Sequence, residues 1–372
     1  MAIHRTVRPI DRLLLSLMIG LSVFGAIILL SASGPISFHA YSDPLYFVRR
    51  QVLLGILPGF VAFYFFSRVD TKLLERLAIP AFIVTMCLLV SVFIPGIGHA
   101  VGGSRSWIRL AGVQFQPSEF AKFAFLIYVS AWLASRGSRA SMTLEHAVSY
   151  FGALGLVVAL LIFEPDTGTM AVIAGTSMLL YLTAGAPFIW FATVSGAFAA
   201  LFLALVSLAP YRAARLMTFI HPELDPQGIG YHVNQAILAV GSGGLFGLGY
   251  GQSRQKFLYL PEAQGDSVFA VFAEELGFFA VLALLVLIGA LVWRCFWIAR
   301  RAETKFDMLF SAGVGIWIGV QTIVNISSMI GLMPMTGVTL PFVSYGNSSL
   351  VSLFAALGVV ASAQRRAKAE AL

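Results

Sequence analysis

The residue types best suited to chemistry in this chain meet at Asp266. It follows Leu260-Pro261-Glu262-Ala263-Gln264-Gly265 and opens a long apolar run. Ala270, Ala273 and Gly277 come next on roughly the same helical face. Small side chains there permit either close helix packing or a cavity beneath the carboxylate. A plain helix N-cap would also account for an Asp at this place. Glu274 and Glu275 lie deeper in the same run, an unusual load of acid for lipid. A lone carboxylate at a cavity mouth, with cations in the facing loops, suits a general base working beside an anionic leaving group.

Other charges lie in or beside apolar runs. Glu119 and Lys122 are three residues apart, so on a helix they share a face and can pair. Such a pair either neutralises two buried charges or touches substrate, and the two roles are compatible. Pro117 suits the first turn of that helix, with Gln116 or Ser118 as cap. Asp166, in Glu164-Pro165-Asp166-Thr167-Gly168, reads strongly as a helix cap in a very short turn. The glycine-rich run from Gly241 to Gly251 has neither GxGxxG spacing nor a GK[ST] ending, which removes nucleotide-fold readings. The histidines show no HExxH-type zinc spacing, and no GxSxG elbow is present. Cys87 and Cys295 fall in or beside apolar runs and do not read as a disulfide framework.

The elements that must position these residues are membrane helices. The chain is 59% hydrophobic and 11% charged, with a mean hydropathy of +0.88, whereas soluble domains are about a quarter charged. Apolar runs near 13–30, 47–66, 77–94, 119–134, 147–163, 168–184, 187–209, 267–293, 307–330 and 348–363 predict an all-α integral membrane protein. About ten transmembrane helices would form one bundle, a single domain over 1–372. The run after Asp166 is short, and strict alternation of the barrel kind is absent. Arg5, Arg8 and Arg12 before the first run, with Ser31-Ala32-Ser33 after it, resemble a signal peptide. The apolar stretch is too long for one, so a retained signal anchor is expected.

Cations set the orientation. With the N-terminus inside, Arg68, Lys72, Arg76, Arg136, Arg139, Arg294, Arg300, Arg301, Lys305, Arg365, Arg366 and Lys368 join the N-terminal arginines in the cytoplasm. The loops at 31–46, 164–167 and 331–344, on the outer side, contain no Lys or Arg. Both termini are then cytoplasmic. The exceptions are Arg105 and Arg109 before the fourth span, and Arg212, Arg215, Arg254 and Lys256 in the large outer loop 210–266 before the eighth. For Arg105 and Arg109 an outer anion site is the favoured reading, while a long loop also tolerates cations without one. Loop 210–266 is expected to hold short interfacial helices around 212–219 and 231–240. The net charge of +7 reports topology and does not point to nucleic acid.

Four ordered motifs carry a resemblance over essentially the whole chain. They are Gly103-Ser104-Arg105-Ser106-Trp107-Ile108 with Gln116-Pro117-Ser118-Glu119-Phe120-Ala121-Lys122; Glu164-Pro165-Asp166-Thr167-Gly168-Thr169; the stretch from Gly241 through Gln252-Ser253-Arg254-Gln255-Lys256-Phe257-Leu258-Tyr259-Leu260-Pro261-Glu262 and Asp266 to Glu274-Glu275-Leu276-Gly277; and Asn325, Gly331-Leu332-Met333-Pro334 and Leu340-Pro341-Phe342-Val343-Ser344-Tyr345-Gly346-Asn347-Ser348-Ser349. The chain resembles the shape, elongation, division and sporulation (SEDS) family, whose members include FtsW, RodA and SpoVE. The resemblance implies a ten-helix glycosyltransferase of the bacterial cytoplasmic membrane. It would polymerise lipid II at the outer face, release undecaprenyl diphosphate and work with a class B penicillin-binding protein among divisome or elongasome membrane proteins. It implies that Asp266 is the family's essential acidic residue, taking the proton from the acceptor 4-hydroxyl as a base, and that Glu119 and Lys122 are the family's intramembrane pair. Arg105, Arg109, Arg215 and Lys256 become candidates to neutralise the diphosphate. Asp166, Glu262, Ser344, Tyr345 and Ser348 are further substrate-binding candidates from the same motifs. A divalent cation, magnesium or manganese, could assist the diphosphate, but no ligand set is visible.

Three departures stand out. Ser106 precedes the Trp and leaves Arg105 as the local cation. Asn347 replaces a glycine of the usual Ser-Tyr-Gly-Gly-Ser-Ser, and Gly265-Asp266-Ser267 replaces the common Thr-Asp-Phe. Gln252–Pro261 and Thr339-Leu340-Pro341 resemble the FtsW and SpoVE branch, which favours septal synthesis. Two rival functions remain at this level. A lipid II flippase would place its polar residues near the midplane and between repeats, whereas here they cluster at outer ends. A non-catalytic scaffold would leave Asp266 dispensable.

Overall fold

The computed structural model describes residues 9–101, 104–110, 113–136, 144–208, 219 and 228–366. Each of the ten apolar runs is a helix. In order these are α1 (Arg12–Tyr41), α2 (Tyr46–Gln51) continuing through a π-helical turn (Val52–Ile56) into α3 (Leu57–Arg68), a short α4 (Thr71–Arg76), α5 (Ala78–Ser91), α6 (Pro117–Ser135), α7 (Leu144–Phe163), α8 (Thr167–Thr183) and α9 (Phe188–Leu208). The short α10 (Ile229–Ser242), α11 (Val268–Arg300), α12 (Lys305–Met329) and α13 (Asn347–Arg366) complete the set. The helices spanning 12–41, 46–68, 144–163, 268–300, 305–329 and 347–366 are long and apolar enough to cross a membrane, and shorter apolar helices stand beside them.

Helices α12 and α13 are the most enclosed of the long apolar helices. Helix α12 packs on α6, α8, α11 and α13, and α13 packs on α3. Both carry small and polar residues where they meet neighbours, including Ser311, Gly313, Gly315, Ser352 and Gly358. Lipid tails are as apolar as leucine, so helices associate through close contact and hydrogen bonds, which small residues permit. The lipid-facing row instead carries bulk, as at Phe278, Phe279, Val286 and Trp293 of α11, all exposed.

Two features depart from the expectation. The segment 31–46, read as an outer loop, is mostly helix: α1 runs on to Tyr41 and closes at Ser42 in the left-handed region, with φ 54°. Ser31, Ser33 and Ser37 are buried on this extension, whose helix packs on α11. The segment before α6 is not plain loop either. Strands β1 (Gly98–Val101), β2 (Ser104–Leu110) and β3 (Val113–Phe115) form an antiparallel meander. Ser106 and Ile108 are buried and Arg109 is exposed, the two-residue alternation of a strand with one covered face. Of the two interfacial helices expected in loop 210–266, the second is α10; the first lies outside the described residues apart from Phe219.

Helix α11 is broken at Gly277 (φ 74°, ψ −174°). The glycine-rich segment after α10 fills the break: Leu248 and Gly249 donate to the carbonyls of Glu274 and Glu275, at 3.0 and 2.9 Å, and Phe278 donates to Gly244 at 2.9 Å. Backbone groups freed inside a membrane must find partners within the protein, and here a re-entering loop supplies them. A Cβ at Gly243, Gly247 or Gly277 would collide with the opposing backbone. The small residues Ala273 and Gly277 thus serve close packing, the first of the two options open from the sequence.

Candidate active site

Asp266 lies in the turn 261–267 that leads into α11, half-buried. The helix cap is Ser267, not Asp266, and no side chain caps the helix. The turn is held from two sides. Asn325 Nδ2 donates to the Asp266 carbonyl at 2.9 Å and to the Val338 carbonyl at 2.7 Å, and the Tyr345 amide donates to the Gln264 carbonyl at 2.9 Å. Among the described residues no cation pairs with the Asp266 carboxylate; its side-chain contact is Ser267 Oγ at 3.4 Å. Burial pushes its pKa up to about 6, against smaller opposing effects of hydrogen bonds from its own and the Ser267 amide and from the Ser267 hydroxyl.

The segment 338–349 links this turn to the other motifs. Gln321 Nε2 donates to the Thr339 carbonyl at 2.9 Å, and Gln321 Oε1 accepts from Lys122 Nζ at 3.1 Å and from Trp317 Nε1 at 2.7 Å. Lys122 and Glu119 are both buried and pair at 2.7 Å, with the ammonium 5.4 Å from the Trp317 ring centroid. The pair is therefore a neutralised bridge between α6 and α12. Ser352 Oγ donates to the Glu119 carbonyl at 2.7 Å. Ser348 Oγ accepts from the Gln116 amide at 3.1 Å. Asp166 caps α8 through the Thr169 amide at 3.0 Å, as expected, and its other oxygen takes Gln116 Nε2 and Ser118 Oγ, each at 2.9 Å. Its neighbour Glu164 is pushed up to about 8, by burial and then by the Asp166 charge. Ser344 is buried and accepts from the Leu340 amide at 2.9 Å, which closes a turn. Gln51 clamps the same turn by donating to the Ser344 carbonyl at 2.9 Å and accepting from the Gly346 amide at 3.1 Å. Asn347, the departure from glycine, donates to the Tyr345 hydroxyl at 3.3 Å.

The cations sort differently from expectation. Lys256 is 4% exposed and bonds Glu275 at 2.7 Å and Ser31 Oγ at 2.9 Å. It is not presented to the outer face, because the intramembrane acids hold its loop: Glu274 accepts from the Ser253 hydroxyl and the Arg254 amide, and Glu275 accepts from Ser31 Oγ. Arg109 is exposed on β2, opposite Gln114 of β3. Arg105 lies on β2, with its side chain outside the description, and Arg215 lies outside the described residues. Glu262 is exposed at positive φ, 49°, and accepts from Gln264 Nε2 at 2.8 Å. The sequence reading passed over Arg50, which bonds the Tyr46 hydroxyl at 2.6 Å and acts electrostatically on half-buried Tyr345. It also passed over His232 of α10, whose Nε2 is 2.7 Å from Ser267 Oγ. Among the described residues no group of three or more His, Cys, Asp or Glu is gathered to hold a metal ion.

The similarity to known proteins extends over nearly the whole chain. The FtsW/RodA/SpoVE family model, described as "Cell cycle protein", matches residues 11–369. The chain is 36% identical over 355 residues to "Stage V sporulation protein E" of Bacillus subtilis, covering 95% of this chain and 97% of that one. It is 37% identical over 347 residues to the "Probable peptidoglycan glycosyltransferase FtsW" of Trichlorobacter lovleyi, covering 93% and 91%. The crystal structure of the rod shape determining protein RodA of Thermus thermophilus superposes with a TM-score of 0.72 at 29% identity, covering 97% and 98%. A chain from "Structural coordination of polymerization and crosslinking by a peptidoglycan synthase complex" superposes with a TM-score of 0.78 at 28% identity, covering 97% and 99%. The chain belongs to the FtsW/RodA/SpoVE family of cell-cycle proteins.

Proposed function

We propose that this chain is a peptidoglycan glycosyltransferase that polymerises lipid II at the outer face of the bacterial cytoplasmic membrane, with Asp266 as its general base. The observation that carries the assignment is the state of that carboxylate. Asn325 and Tyr345 hold the backbone of its turn, yet among the described residues no cation meets the side chain, whose pKa is raised to about 6. A base of that strength is charged at neutral pH and still able to take a proton. Asp266 accepts the proton of the acceptor 4-hydroxyl as that oxygen attacks the donor's anomeric carbon, and the bond to undecaprenyl diphosphate breaks with inversion. Arg109, Arg105, Arg215 and the added candidate Arg50 are the cations proposed for the leaving diphosphate. Lys256 is withdrawn from that set by its bond to Glu275. The superposition on a chain of a peptidoglycan synthase complex that couples polymerization and crosslinking supports a class B penicillin-binding protein as partner, and the relatives named FtsW and SpoVE support a septal or sporulation role.

The test is polymerisation of purified lipid II by the wild type and by Asp266→Asn, alone and with a candidate class B penicillin-binding protein. Glycan is expected from the wild type in at least one condition, and at least about a hundredfold less from the variant. Equal polymer from both removes Asp266 as the base. Movement of lipid II across vesicles with no polymer from either protein would make the chain a transporter.

A further inference from the structure

Ser267 is fully buried and its hydroxyl stands at a junction. It lies 2.7 Å from His232 Nε2, 2.9 Å from the Pro261 carbonyl and 3.4 Å from Asp266 Oδ1. A hydroxyl has one proton to give and two lone pairs to receive with. When His232 Nε2 carries a hydrogen, it donates to Ser267, whose own proton turns to Pro261. When Nε2 is bare, Ser267 can donate to it and accept from a protonated Asp266. The second arrangement conducts a proton, and the 3.4 Å gap is of the kind that closes when substrate is bound.

The surroundings keep the imidazole able to accept. Burial holds His232 below the usual histidine range, with Glu262 pulling the other way. Helix α10 packs on α11 and α12. The nearest acids of α11, Glu274 and Glu275, are taken up by the 253–256 loop, and α12 is charged only at Lys305 and Asp307, at its opposite end. Among the described residues the groups that face His232 are therefore Glu262 and, through Ser267, Asp266.

We propose that Ser267 and His232 form the exit path for the proton that Asp266 removes from the acceptor hydroxyl. The inference rests on Asp266 being the base. The acceptor O–H bond breaks and its proton joins the Asp266 carboxylate. That proton then passes to Ser267 Oγ as the Ser267 proton passes to His232 Nε2. The imidazolium, half-exposed, releases a proton to water, and Asp266 returns to its charged form.

The experiment measures lipid II polymerisation against pH for the full chain with its penicillin-binding protein. His232→Gln keeps a hydrogen bond to Ser267 but does not titrate. It should lower kcat about tenfold with KM unchanged, a smaller loss than removal of the base itself. Ser267→Ala should lose as much, and the double variant no more. A His232→Gln enzyme with wild-type kcat and pH profile overturns the path, as do additive losses. A second measurement needs no turnover: nuclear magnetic resonance of isotope-labelled histidine follows His232 through its titration in wild type and Asp266→Asn. The midpoint should fall when the Asp266 charge is removed. An unchanged midpoint overturns the path whether or not the chain makes glycan, whereas absence of glycan from the wild type overturns only the glycosyltransferase reading.

Discussion

A carboxylate on a half-buried turn is a different base from one in water. Lost hydration disfavours the charged form of Asp266 and raises its pKa to about 6. The proposed base works when deprotonated, so kcat should rise with pH through about 6 and level above it. Glu262 is also raised, by burial and then by the charge of Asp266, whereas Asp266 is raised by its own burial and not by Glu262. Glu262→Gln should therefore leave the limb in place with the plateau kept. A limb that moves to lower pH would show that the Glu262 charge acts on Asp266 in return. Asp266 stands out in the sequence because an acid at the edge of an apolar run is costly. His232 does not, because a single histidine in a short helix has no spacing to mark it and reaches the Asp266 turn only when that turn folds back onto α10. Lys256 misled for a related reason: composition does not distinguish a loop cation facing water from one drawn inward by a buried acid.

The elements around that turn are held by groups that soluble proteins seldom bury. Lys256 and Glu275 are 4% and 1% exposed, and they join the 253–256 loop to α11 while Ser31 ties the same site to α1. Removing one partner of a buried pair leaves an uncompensated charge and costs about 3–5 kcal/mol, whereas replacing both can be nearly neutral. Lys256→Met should therefore lower the melting temperature in detergent sharply, and Lys256→Met with Glu275→Gln should recover much of the loss. If Lys256→Met abolishes polymerisation at an unchanged melting temperature, the lysine serves substrate instead. The helices themselves were readable from hydropathy, since a spanning helix must be apolar and long. The break at Gly277 was not, because it depends on a distant glycine loop offering its amides. The sheet 98–115 escaped notice because its alternation is short and the surrounding apolar runs dominate the signal.

At the scale of the molecule, a general base for an outward reaction requires the turn at Asp266, the sheet and segment 331–346 to share one side of the membrane. The connectivity favours this, for Asn325 at the end of α12 reaches both the turn and residue 338. The cation pattern places Arg300, Arg301 and Lys305 on the opposite side. At that other end of the bundle Arg294 pairs with Asp11 and Arg366 with Asp70, so cations there also fasten helix ends together. Orientation is consequently testable with two surface positions. Arg109 on β2 and Lys305 at the start of α12 are both exposed. Of the two native cysteines, Cys295 is buried, and Cys87, which is exposed, is replaced by serine. In that background an impermeant maleimide should label Arg109→Cys in intact spheroplasts and Lys305→Cys only after the membrane is opened. The reverse pattern would put Asp266 on the cytoplasmic side, where it could not be the base of an outer-face polymerase however well its chemistry suited the reaction.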